Sequence, residues 1–134
     1  MNTATIMANL AAITFSVTSH TVASRVFVHE DDFEDFENFP LIIVAPGSEE
    51  CVEQANLITE TRFHPEVHFF IEDTSVATLE GWRDDIRNAI YRDATLRGNI
   101  LTVDIDEIIL TEPEDRKLQH LAFMLTIVFD IQHT

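Results

Sequence analysis

The stretch "LQHLAFMLTIVFDI" at residues 118–131 decides the fold. Every odd position from 121 to 131 is apolar: Leu121, Phe123, Leu125, Ile127, Phe129 and Ile131. Successive side chains of a strand point to opposite faces, so this column predicts a long strand with one face in a core. Just upstream, "NILTVDIDEIIL" at 99–110 alternates Leu101, Val103 and Ile105 against Thr102, Asp104 and Asp106, a second strand. The intervening "TEPEDRK" is made of turn formers and charges, which predicts an antiparallel hairpin.

Further upstream the period changes from two to 3.6. In "TLEGWRDDIRNAIYRDATLRG" (78–98), Leu79, Trp82, Ile86 and Ile90 form one apolar stripe, and Gly98 is placed to end the helix after Arg97. Such a helix must lie on the sheet. "EVHFFIED" (66–73) alternates Val67, Phe69 and Ile71 with His68 and Phe70, and "PLIIVAPG" (40–47) reads as a short strand covered on both faces. "TVASRVFVH" (21–29) is β-branched and alternating, whereas "SEECVEQANLITETRF" (48–63) fits strand or helix equally well. Residues 1–24 hold no charged side chain, yet they lack a basic leader region and are too short and polar to span a bilayer; Ile6, Leu10 and Ile13 place them on a helix with Thr3 as its N-cap. The expected fold is α+β: a mainly antiparallel sheet of four to five strands with two helices packed on it, in one domain over 1–134.

Twenty-four acids against eight bases give a net charge of −16, which argues against phosphate-contacting DNA or RNA binding. The single cysteine, Cys51, excludes an internal disulfide, fits a reducing compartment and is expected to pack in the interior. No metal site is expected. His64 and His68 in "HPEVH" would stand about 13 Å apart on a strand, and a calcium loop started at Asp31 would place Phe36 and Ile42 where glycine and glutamate are needed. With glycines only at 47, 81 and 98, no Walker loop, dinucleotide fingerprint or nucleophile elbow can be written, so neither a cofactor nor catalytic residues nor an enzyme is expected.

The charge distribution is uneven. Residues 25–61 carry ten acids and one base, while 62–97 carry seven acids and five of the eight bases. Six carboxylates crowd Phe33 and Phe36 in "HEDDFEDFENFP" (29–40), and Arg83, Arg87, Arg92 and Arg97 lie in or just after the second helix. Arginine's planar fork suits carboxylates, so Asp31, Asp32, Phe33, Glu34, Asp35 and Phe36 on one copy, facing Arg83 and Arg87 on the next, form a candidate head-to-tail contact; the bland alternative is a solvated helix face. Phe39 is expected in the core. Phe33 and Phe36 are either core or partner anchors.

The succession resembles the tail-terminator, or tail-completion, proteins of long-tailed bacteriophages. The matching features are the first helix, the approach to "FPLIIVAPG", the segment "LEGWRDDIRNAIYRDATLRG" with its D-x-T-L-x-G at 93–98, and the closing "EPEDRKLQHLAFMLTIVFD". The resemblance covers nearly the whole chain. It implies a structural protein without chemistry, located in the tail neck of a virion and assembled in the host cytoplasm, with no membrane partner. Its implied partners are further copies of itself in a hexameric ring, the tail tube protein whose growth the ring stops, and the head connector or neck protein that joins above; genome DNA passes through without specific binding. Two rivals are another neck component, such as an adaptor between portal and tail, expected to be more helical, and an acidic DNA-mimic inhibitor, expected to spread its acids over helix faces.

Overall fold

The computed structural model describes residues 2–18, 22–23, 41–55, 57–72, 76–111 and 118–133. Its axis is the last strand, β7 (Leu118–Gln132). The odd-numbered side chains from Leu121 to Phe129 are at most 1% exposed, as the alternation predicts. Each such burial contributes about 1.5–3 kcal/mol relative to water. At 15 residues β7 is about 50 Å long, enough to pair with two shorter strands end to end. Along one edge β5 (Glu66–Glu72) pairs with 118–124 and β4 (Ile58–Phe63) with 127–132; along the other runs β6 (Thr102–Thr111), all antiparallel. The hairpin partnership is therefore present, although the turn segment 112–117 lies outside the described residues.

Outside β5 and β4 come β2 (Leu41–Ala45) and β3 (Glu49–Ala55), again antiparallel, and β1 (Val22–Ala23) adds to β2 in parallel. One seven-stranded sheet results, not four or five strands. The excess is the segment 48–63, which folds as the hairpin β3–β4 and continues the lines of β2 and β5 across breaks at Pro46–Ser48 and His64–Pro65. Proline has no N–H to give to a ladder, so it interrupts a strand. The breaks remain stitched together, because the His64 N–H donates to the Ser48 carbonyl at 2.9 Å and the Leu125 N–H to the Pro65 carbonyl at 3.1 Å.

The segment that fitted strand or helix forms β3 and β4, with Val52 as an extra residue between the Cys51–Thr61 and Glu53–Glu60 pairs. Cys51 is exposed on this edge strand, contrary to the interior packing expected of it. A second bulge, at Asp106, falls between the Ile105–Leu125 and Glu107–Met124 pairs. It shifts the apolar phase of β6, so that Val103, Ile105, Ile108 and Leu110 all pack against the core. Leu101 precedes the strand and is exposed, although the alternation had grouped it with Val103 and Ile105.

Two long helices, α1 (Thr3–Thr18) and α2 (Val76–Arg92), and the single turn α3 (Ala94–Arg97) complete the α+β fold. Ile6, Leu10 and Ile13 of α1 and Leu79, Ile86 and Ile90 of α2 are buried in one cluster with the inward column of β7. Trp82 sits at the rim, half-buried, its ring edge-on to Phe69 at 4.8 Å. The N-cap of α1 is Asn2 rather than Thr3: the Thr5 N–H donates to Asn2 Oδ1 at 2.9 Å. Thr14 and Thr18, buried on an uncharged helix, donate their hydroxyls to the carbonyls of Leu10 and Thr14, each at 2.9 Å, so neither is left unpaired. Among the described residues no helix is long and apolar enough to cross a membrane.

Gly47 makes the break between β2 and β3 possible. Its φ is +59°, and a Cβ there would lie 1.7 Å from the His64 carbonyl oxygen. Gly81, in α2, has nothing within 4 Å of such a Cβ. Gly47→Ala is expected to destabilise the fold by about 3 kcal/mol or more in urea unfolding, whereas Gly81→Ala gains about 0.5–1 kcal/mol from helix propensity. Equal behaviour of the two variants would contradict this account of the break.

Candidate functional site

Of the interface residues expected from the sequence, Asp31, Asp32, Phe33, Glu34, Asp35 and Phe36 lie outside the described residues, as does Phe39. Arg83 and Arg87 are on α2, and both turn to Asp84: Arg83 Nε is 3.2 Å and Arg87 Nη2 3.0 Å from Asp84 Oδ1. Exposed pairs of this kind contribute little to stability, but they reduce the charge these arginines offer to a partner. Arg92 and Arg97 differ. Both are exposed, and among the described residues no acid pairs with either.

These two arginines stand where α2 gives way to β6. Asp93 interrupts the helix and caps α3 by accepting the Leu96 N–H at 2.8 Å. Gly98 closes α3. The chain then returns to the sheet, where the Leu101 N–H donates to the Val128 carbonyl at 2.8 Å. Tyr91 fixes the helix end to the sheet edge, its hydroxyl accepting the Ile105 N–H at 2.9 Å. Between them lies a hollow of about 520 Å³ lined by Tyr91, Arg97, Ile100, Leu101, Val103 and Asp104, together with Thr102. Tyr91 is 41% and Leu101 57% exposed, so apolar surface and a cation share one open cavity. Tyr91 falls off the Leu79–Ile90 stripe, and that position is the one signal in the sequence that it serves something other than the core.

The two histidines of "HPEVH" have separate partners. His64, in the break between β4 and β5, places Nδ1 3.1 Å from Thr126 Oγ1 and Nε2 3.2 Å from Glu50 Oε1. Thr126 in turn donates its only hydroxyl proton to Asp106, the bulge residue, so that hydroxyl is an acceptor toward His64. A Thr–His–Glu sequence of contacts is present, but His64 is not positioned to take the Thr126 proton. Beside it a smaller hollow of about 240 Å³ is bounded by Gly47, Ser48, Pro65 and Glu66 among others.

His68 lies on the sheet face opposite the helices. Its Nδ1 is 2.9 Å from His120 Nε2, and the His120 ring is stacked on Phe70 at 4.4 Å. His68 Nε2 also lies 3.3 Å from Glu66 Oε1. Burial pushes both imidazoles down to about 4, with the neighbouring His68 adding to the effect on His120. At neutral pH both are uncharged, so the contact with Glu66 is a hydrogen bond from a neutral ring and not an ion pair. The partners assign the tautomers: His68 Nε2–H donates to Glu66, and His120 Nε2–H donates to His68 Nδ1. Among the described residues no three His, Cys, Asp or Glu side chains converge as a metal set.

No protein-family model and no curated protein matches the sequence. Among solved structures the chain is similar to one from the virion of a native gene transfer agent particle. The TM-score is 0.60 at 10% identity, over 96% of this chain and 94% of that one. The likeness is one of fold, over nearly the full length of both chains.

The histidine pair sets a pH dependence. Unfolded histidine takes up its proton near 6.5, whereas the folded pair does so only near 4. Between these values the unfolded chain binds more protons, so stability falls as the pH drops from 6.5 toward 4 and is unaffected by the pair above that window. Replacing His68 and His120 together by Phe is expected to remove on the order of 2 kcal/mol of that loss, allowing for partial exposure. Urea midpoints between pH 7 and pH 4 check this; parallel slopes for the variant and the unaltered chain would contradict it.

Proposed function

We propose that the chain is a structural protein of a phage-like virion, and that it caps the tail tube as a hexameric ring, ends tail polymerisation and offers the surface to which the head connector or neck protein binds. The observation that carries this reading is the likeness, over nearly the full length of both chains, to a component of a gene transfer agent virion. The resemblance of "LEGWRDDIRNAIYRDATLRG" and the closing hairpin to tail-terminator proteins supplies the finer role. The protein works by surface and shape, without catalysis, metal or cofactor, within the virion neck.

The acidity suits such a place. Six copies at −16 each carry about −96 in total, and an acidic lumen repels phosphates so that genome DNA passes without adhering. The exposed edge of the sheet suits it too: Val52, Leu57 and Ile58 of the β3–β4 hairpin are open to contact with a tube subunit or a neighbouring copy.

Solution mass and negative-stain imaging of the protein, alone and with tail tubes of the same particle, test the reading. A closed ring, free or seated on the tube end, is the expected result. A monomer that binds a basic DNA-processing enzyme and ignores the tube would overturn it in favour of a DNA mimic, and decoration of the portal instead of the tube end would move the protein to another neck position.

A further inference from the structure

We propose that the hollow bounded by Tyr91, Arg97 and Leu101 is a receptor for the acidic aromatic segment around Phe33 and Phe36 of a second copy of this chain. The proposal presupposes the self-assembly put forward above and names the contact that would hold it. Complementarity points to the occupant. The hollow presents apolar surface from Leu101, Ile100 and Val103 and a cation from Arg97, and Arg92, next to Tyr91 in sequence, is a second exposed cation at the same helix end. The Tyr91 hydroxyl already accepts the Ile105 N–H, so its own proton is available to a carboxylate. Asp104 on the wall opposes acids and favours an occupant whose carboxylates reach the arginine side. The segment "EDDFEDFE" at 30–37 pairs that chemistry feature for feature, with a phenylalanine every third residue and a carboxylate on either side of each.

The chain's own segment brings at most Phe33 to the hollow, and only when fully stretched, so seating both phenylalanines there takes another copy. The segment re-enters the sheet at Leu41, which pairs with Phe70 and through it with His120 of β7. The hollow lies where Leu101 meets Val128, eight residues further along β7 and on its other side. Eight residues along and three strands across amount to about 30 Å. Phe36 stands five residues from Leu41, a reach of at most about 18 Å. Phe33 stands eight residues away and reaches about 29 Å only if the chain is fully stretched. A neighbouring subunit meets no such limit.

Charge exchange between full-length variants tests this. Arg92→Glu/Arg97→Glu is expected to abolish ring formation while keeping the thermal midpoint, since both side chains are exposed, and Asp31→Lys/Asp32→Lys is expected to do the same. Mixed together, the two variants should regain the mass of the unaltered assembly, because each altered donor then meets an altered receptor. Arg83→Glu/Arg87→Glu, which disturbs arginines already turned to Asp84, should assemble normally. Normal assembly of the Arg92/Arg97 variant, or no rescue on mixing, would overturn the proposal while leaving the ring reading intact.

If the unaltered chain forms no ring, the contact is still measurable. A labelled peptide of residues 29–40 is titrated onto full-length protein carrying Asp31→Asn, Asp32→Asn, Glu34→Gln and Asp35→Asn. Binding is expected to weaken roughly tenfold or more when the protein also carries Arg92→Glu/Arg97→Glu, and to weaken again when the peptide carries Phe33→Ala/Phe36→Ala. Affinity indifferent to both changes would overturn the docking surface.

Discussion

The inward column of β7 is the constraint on which the rest of the structure depends. Five large side chains from Leu121 to Phe129, buried to 1% exposure or less on one strand, commit that face to the helices and leave the strand's two edges for hydrogen bonding. A register slip of one residue on β7 would turn the whole column to the opposite face, so burial fixes register more firmly than turn geometry does. Everything paired to β7 then inherits its phase. Phe69 and Val67 of β5, and Phe63 of β4, face the helices because they sit opposite Leu121, Phe123 and Ile127.

The same logic explains why some elements could be read from residues alone and others could not. A strand with one buried face carries its own signature, and so does α2, whose stripe spacing matches the helical period. β3 and β4 lack such a signal. Gln54, Ala55, Leu57 and Ile58 are all exposed at the end of their hairpin, and although β4 turns Thr59, Thr61 and Phe63 inward, two of these three are threonines, so the segment shows no apolar alternation to distinguish strand from helix. The bulge at Asp106 is legible only once the partner is known, because only pairing with β7 shows that Ile108 and Leu110 must face the same way as Val103 and Ile105. The expected strand count is short for the same reason, since 48–63 supplies both extra strands; that they continue the lines of β2 and β5 past the prolines depends on neighbours such as the Ser48 and Pro65 carbonyls.

The face away from the helices shows how a polar residue becomes structural. His68 and His120 alternate out of the core and look like surface histidines, yet His68 is buried and His120 stacks on Phe70. Neutral imidazole can give one hydrogen bond and accept another, so a chain from His120 through His68 to Glu66 satisfies buried nitrogen atoms without burying a charge. Local sequence carries no sign of this, since His120 lies 52 residues from His68 and only the β5–β7 register brings them together.

Charge in this chain has to be judged by partner and not by count. Four arginines gather in and just beyond α2, and sequence alone does not distinguish Arg83 and Arg87 from Arg92 and Arg97. Helical spacing separates them. Asp84 lies one residue from Arg83 and three from Arg87, within reach of both, and each exchanges some of its reach to a partner for a local contact. Arg92 and Arg97 have Asp93 between them, but that carboxylate accepts the Leu96 N–H as the cap of α3. The helix break that exposes these arginines therefore also holds the nearest acid in place as a cap. Among the described residues no acid pairs with Arg92 or Arg97, so a chain of net charge −16 keeps two exposed cations near Tyr91 and Leu101, the place where repulsion of another copy's carboxylates is weakest.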